Sequence, residues 1–166
     1  MFWTSLKKLS LSRIFLSAES LAKILSGCPV LQSLTLYYCH KPSVLDLSKS
    51  LHLRTLAVSR NKSRDPGPTQ ILAPHIHSLR LVHSQLPCTL ADVSSLTEAK
   101  MEICFVLGKT NSGADILQAM VLKMLEKLQN VEKPTFGGNF LQVYVFWAHI
   151  TISKSVGCTF NFSPMD

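Results

Sequence analysis

The chain has 166 residues, 46% of them apolar and 16% charged. This composition excludes an intrinsically disordered chain and suits one ordinary domain or one stretch of a repeat array. Lys and Arg number 17 against 10 Asp and Glu, giving a net charge of +7, and residues 1–90 hold the whole excess, with eleven bases and three acids. The longest apolar run, residues 140–152, is broken by Gln142 and His149 and is shorter than the ~20 residues a membrane-spanning helix needs, so no membrane association is predicted.

One frame recurs along the chain: L-x-x-L-x-L, followed three places on by Asn, Cys or a small residue. It opens with Leu6, Leu9, Leu11 and Ile14. A short helix is predicted over residues 17–27. Ser17 stands at its N-cap and Glu19 in its first turn, Leu21, Ile24, Leu25 and Cys28 face inward, and Gly27 with Pro29 stops it. The second frame is Leu31, Leu34, Leu36 and Cys39. Residues 44–47 read as a short extended segment on the outer side. The third frame is Leu53, Leu56, Val58 and Asn61, running into a basic, turn-rich loop at 60–68 that is expected to be mobile or cleavable. A second extended segment follows at 70–72, then the fourth frame, Ile76, Leu79, Leu81 and Ser84. Leu96, Ala99, Met101 and Cys104 form a weaker fifth. A longer helix is predicted over 114–128 from the stripe Ile116, Leu117, Met120, Val121, Met124, Leu125 and Leu128. The last frame is Val131, Pro134, Phe136 and Asn139.

The frames start at residues 6, 31, 53, 76, 96 and 131, so four of the five steps lie between 20 and 25 residues, the period of a leucine-rich repeat (LRR). The physical reason is direct. Apolar residues two apart point to one face of a strand. The Asn or Cys that ends the strand can hydrogen-bond backbone groups of the adjacent turn. No unit can bury its inner face alone, so units stack. The predicted fold class is α/β: an LRR solenoid, an incomplete horseshoe, with short parallel strands on the concave side and helices and extended segments on the convex side. The structural ladder is Leu31, Leu34, Leu36, Cys39, Leu53, Leu56, Asn61, Leu79, Leu81, Cys104 and Asn139. The expected organisation is an array of about six irregular units over residues 1–142 and an atypical apolar tail over 143–166, where the leucine frame stops.

The segment Cys28-Pro-Val-Leu31-Gln-Ser-Leu34-Thr-Leu36-Tyr-Tyr-Cys39 resembles the cysteine-containing repeat of F-box proteins. Leu25-Ser-Gly-Cys-Pro and Ala73-Pro-His-Ile-His-Ser-Leu-Arg-Leu81 resemble the plant F-box/LRR group in particular. The resemblance covers residues 5–142. It implies a protein-interaction scaffold, the substrate-recognition part of an SCF-type ubiquitin ligase, with a protein substrate as partner. The first frame begins almost at Met1, so an upstream F-box is expected to be missing and a Skp-type adaptor is not expected to bind.

Chemical motifs are sparse. Gly108-Lys109-Thr110 lacks the earlier glycine of a phosphate-binding loop, since position 103 is Ile103. His75 and His77 flank a ladder residue and have no companion ligand at metal-binding spacing. Five cysteines, with no C-x-x-C pair and no secretory segment, predict reduced thiols in a cytoplasmic or nuclear protein. Asn61-Lys-Ser63 and Asn161-Phe-Ser163 match the glycosylation acceptor pattern without a secretory context. No catalytic residue, metal site or cofactor is predicted, and the chain is not expected to be an enzyme. The candidate partner-binding residues lie between and after the ladder leucines: Tyr37, Arg80, Ser33, Thr35, Thr55, Ser78 and Lys100. Tyr and Arg are the types favoured at interfaces. The competing readings are non-specific nucleic-acid binding through the basic first half, which lacks an aromatic platform, and a truncated product with no independent function.

Overall fold

The computed structural model of the chain describes residues 2–39, 44–59, 70–84, 88–103 and 122–137. In chain order the elements are β1 (Lys8–Ser12), α1 (Ala18–Ser26), β2 (Ser33–Tyr37), β3 (Val44–Asp46), β4 (Thr55–Ser59), β5 (Gln70–Leu72), β6 (Ser78–Ser84), β7 (Thr89–Asp92), β8 (Glu98–Ile103), a helical turn region α2 over residues 122–128, and β9 (Lys133–Phe136). They form two parallel sheets. One has six strands in the order β1-β2-β4-β6-β8-β9 and the other three in the order β3-β5-β7. This is an LRR solenoid. The turns that begin with β1, β2, β4, β6 and β8 each place one strand in the large sheet and one convex segment, a helix or a short strand, after it.

The register of the large sheet follows the leucine frames residue for residue. Leu9, Leu34, Leu56, Leu79, Ala99 and Pro134 lie side by side, and Leu11, Leu36, Val58, Leu81, Met101 and Phe136 form the parallel row two residues on. A one-residue slip would turn every one of these side chains toward water, so the pattern fixes the pairing. Burial is complete in the middle, with Leu34 and Leu56 at 0% exposure, and falls to half-burial at Leu9 and Leu11 on the edge strand β1. A third row, Leu31, Leu53, Ile76, Leu96 and Val131, is buried where the chain enters each strand. Pro134 stands on β9, which pairs only with β8 among the described strands. A residue without an N–H is tolerated at such an edge.

Backbone hydrogen bonds repeat with the same period. The Lys7 carbonyl accepts from the amides of Gln32 and Ser33, Gln32 from Arg54 and Thr55, Arg54 from His77 and Ser78, and His77 from Thr97 and Glu98. One carbonyl per unit thus holds two donors of the next unit. This satisfies groups that would otherwise be buried unpaired.

The convex side shows what short motifs could not. The expected extended segments are β3 and β5, and β7 joins them as a third strand that the periodicity did not reveal. Leu45, Ile71 and Leu90 line up behind the large sheet and are buried. At the exit of β3, Asp46 Oδ1 accepts from Ser48 N (2.9 Å) and from Ser48 Oγ (2.6 Å). At the exit of β7, Asp92 Oδ1 accepts from Ser94 N (3.2 Å). Leu72 occupies the Asp position of the intervening unit, and Pro74 stands where Ser48 and Ser94 stand. Proline has no N–H to satisfy, so no carboxylate is required there.

Helix α1 is capped as its sequence requires: Ser17 Oγ accepts from Ser20 N (3.1 Å). Leu21 and Cys28 are buried, and Ile24 and Leu25 pack partly against the core. Gly27 closes the helix at φ −78°, in the right-handed region, so its left-handed freedom is not used. Its amide donates to Lys23 and Ile24, and its carbonyl accepts from Trp3 N at 2.7 Å. Pro29, which lacks an N–H, is what bars continuation. In α2, Met124 and Leu128 are buried and Leu125 packs beside them; residues 114–121 of the expected helix lie outside the described residues. So do the loop at 60–68, the Gly108-Lys109-Thr110 motif, and the tail at 143–166.

Candidate interaction surface

Strand pleating sends alternate side chains of the large sheet away from the core. They form the face that an LRR solenoid presents on its concave side, and none of them is buried. The register arranges them in rows across the strands. Lys8, Ser33, Thr55, Ser78, Glu98 and Lys133 form the first row, and Ser10, Thr35, Ala57, Arg80, Lys100 and Thr135 the second. Ser12, Tyr37, Ser59, Val82 and Glu102 form the third. All seven candidate contacts (Ser33, Thr35, Tyr37, Thr55, Ser78, Arg80 and Lys100) therefore share one surface. Ser33, Thr55 and Ser78 are adjacent along the first row, and Arg80 lies directly beside Lys100 in the second.

The face changes chemistry along the array. Among the described residues it is mostly hydroxyl-bearing and without a carboxylate from β1 to β6; on β8 and β9 it is charged, and the charges are paired. Lys133 Nζ lies 3.2 Å from Glu98 Oε1, and Lys100 Nζ lies 3.0 Å from Glu102 Oε1. These exposed pairs are worth at most about 1 kcal/mol each. Their effect is to cancel the acids of the face. The cross-strand pair was legible in advance, since Glu98 and Lys133 hold the same slot of successive frames. Gly137 lies against Glu102, where an added Cβ would approach the Glu102 Cγ to 3.1 Å.

Tyr37 is the exposed aromatic of the face, at 40%. Its ring meets that of Tyr38 at a centroid distance of 4.0 Å and a tilt of 41°. Tyr38, hydrogen-bonded to it, holds the Tyr37 phenol above its ordinary range, while the charge of Arg13 acts in the opposite direction. Tyr38 and Arg13 occupy the same slot after β2 and β1, and both are left-handed, at φ 53° and 54°. That conformation turns the chain off the sheet. The Tyr38 amide donates to Ser59 O (2.8 Å) and the Arg13 amide to Tyr37 O (2.9 Å).

In the slot that follows, Cys39 Sγ donates to Leu11 O at 3.3 Å and lies 3.8 Å from Tyr37 O. The thiol thus ties the end of β2 to the neighbouring unit, the role assigned to that slot from sequence. Asn61, Cys104 and Asn139, which hold the same slot, lie outside the described residues. Cys28, Cys39 and Cys88 form no disulfide, and burial pushes the Cys28 thiol up, away from the reactive thiolate. One structural side chain escaped the sequence reading. Arg54 Nη1 donates to the carbonyls of Leu51 (2.7 Å), Leu53 (3.2 Å) and His75 (3.3 Å), spanning two units. Only the fold brings those three oxygens together. Among the described residues, no group of three or more His, Cys, Asp or Glu could hold a metal ion, and no helix is long and apolar enough to cross a membrane.

A family model described as "FBD-associated F-box protein At5g56370, LRR repeats" matches residues 2–71. These repeats are similar to those of plant F-box/LRR-repeat proteins. Among curated proteins of Arabidopsis thaliana, the chain is 59% identical over 141 residues to F-box/LRR-repeat protein At5g02910, covering 85% of this chain and 30% of that protein. It is 58% identical over 139 residues to the putative F-box/LRR-repeat protein At3g18150, covering 83% and 30%. It is 57% identical over 141 residues to the probable F-box protein At1g60180, covering 85% and 43%. The chain thus spans less than half the length of these relatives. No solved structure matches it at a significant level.

Proposed function

We propose that the open face of the six-stranded sheet binds a protein, as the substrate-recognition LRR region of an SCF-type ubiquitin ligase F-box protein does. Ser33, Thr35, Tyr37, Thr55, Ser78, Arg80 and Lys100 are the contact residues of this reading. The observation that carries it is the register: four neighbouring strands of the large sheet hold these side chains in straight rows on one accessible surface. A rigid array of side chains needs little ordering on binding, which lowers the entropic cost of association. The chain is read as a binding module without catalysis, in the cytoplasm or nucleus. Its described residues are occupied by repeats, and we propose that the chain does not itself engage a Skp-type adaptor. The array over residues 1–142 is the recognition unit of this reading, with 143–166 as a separate tail.

The test is affinity capture from plant tissue with quantitative mass spectrometry. Wild-type chain, a face variant (Thr35→Glu with Tyr37→Ala) and a convex-side variant (Lys23→Ala) are compared. Proteins that wild type and Lys23→Ala retain and the face variant loses are the expected result. Capture indifferent to the face variant refutes the surface, and stoichiometric binding of a purified Skp-type adaptor refutes the adaptor statement.

A further inference from the structure

Resting on the reading that this face binds protein, we infer that its ligand is an acidic extended peptide segment whose carboxylate is gripped by Arg80. The argument begins with an unfavourable arrangement. Arg80 and Lys100 sit directly opposite one another on β6 and β8, about 4.8 Å apart at the backbone, on the same face. Like charges in that relation repel and destabilise a sheet. Lys100 is relieved by Glu102 at 3.0 Å. Arg80 is exposed, and no carboxylate among the described residues pairs with it. The guanidinium is therefore left with its planar fork of donors, the geometry that matches a carboxylate in a bidentate pair.

The surroundings of Arg80 favour the same ligand. On its other side in the row lies Ala57, and beyond that Thr35. The small Ala57 leaves open a site that a larger side chain would fill, and Thr35, Thr55 and Ser78 offer hydroxyls around it. From β1 to β6 the described residues of the face include no carboxylate to repel an incoming one, and the acids of β8 are already paired with Lys100 and Lys133. A segment crossing from β2 to β8 passes three strand spacings, about 14 Å, the reach of four or five extended residues. It would meet Tyr37 near one end and Arg80 near the other. A nucleic acid is a poorer fit. Its affinity grows with the number of phosphates neutralised, and on the described face only Lys8 and Arg80 are cations without a partner.

The experiment probes an array of acidic, basic and neutral peptides of equal length with the full chain, followed by fluorescence anisotropy on the strongest peptide. Arg80→Ala, Arg80→Lys, Glu102→Gln and Lys23→Ala are compared, with the circular-dichroism melt of each confirming its fold. Acidic peptides should dominate the bound set. Arg80→Ala should weaken them ten-fold or more, as expected for a charge-assisted hydrogen-bonded pair. Arg80→Lys should recover part of the loss, Glu102→Gln should tighten binding by freeing Lys100, and Lys23→Ala, which removes an equal charge from α1, should change nothing. The inference is overturned by a bound set without acidic preference, by acidic binding that Arg80→Ala leaves intact, by equal losses in Lys23→Ala and Arg80→Ala, or by a uridine oligonucleotide that binds more tightly through Arg80. Protein capture that persists without the acidic preference would remove only this charge assignment. Loss of face-dependent capture as well would remove the recognition surface itself.

Discussion

Replacing Leu56 with Ala removes the centre of the buried row Leu34–Leu56–Leu79. Leu56 has 0% exposure, and the units on both sides are held to it through the same packing. The loss combines the transfer free energy of the deleted carbons with the cavity they leave, about 2–5 kcal/mol for a buried Leu; a site pinned between two parallel neighbours collapses poorly, which points to about 3 kcal/mol or more. Leu9→Ala is the matched comparison: same chemistry, same row, but half-buried on the edge strand β1. Roughly half the apolar area is removed from water there and the site relaxes on one side, so about 1–1.5 kcal/mol is expected. Urea unfolding followed by far-UV circular dichroism reads both, as a shift of midpoint at unchanged slope. A cost for Leu9→Ala as large as for Leu56→Ala, or a Leu56→Ala cost below about 1 kcal/mol, would show that the rows do not carry the stability of the stack.

Other substitutions test the local devices. Ser17→Ala removes the oxygen that receives Ser20 N and should cost about 1 kcal/mol, seen as a lower melting temperature, whereas Ser17→Asp should retain most of it. Arg13 is left-handed at φ 54°, a conformation that costs a side-chain-bearing residue about 1–2 kcal/mol. Arg13→Gly should therefore raise the melting temperature despite the added chain entropy, and a fall would refute the assignment of strain. The hydrogen bonds from Ser48, with help from Lys49, hold the Asp46 carboxyl below its ordinary value. Its contribution is then fully present above the unfolded-state pKa and lost as pH falls through the folded one. Asp46→Asn should flatten the acid limb of the pH–stability curve while changing neutral stability by about 1 kcal/mol or less; an unchanged acid limb would remove Asp46 from that role.

The sequence by itself determined the repeat. Leucines at fixed intervals state which side chains face inward, and because a strand alternates with period two, they also fix the register of six parallel strands and the accessible face opposite. The helix α1 was equally legible, because Ser17, Glu19 and the apolar spacing act within one turn of each other. What the tertiary structure alone decided are relations between residues far apart in the chain. Three convex segments of three or four residues become a sheet only by lying beside one another, too short to show a period of their own. Arg54 finds carbonyls in two adjacent units. Arg80 is left facing Lys100 while Glu102 neutralises only one of them, because the acids fall on one strand and not its neighbour. Periodicity is carried by local sequence and survives reading in one dimension; pairing of charges and hydrogen bonds across strands depends on distances of a few ångströms that only stacking creates.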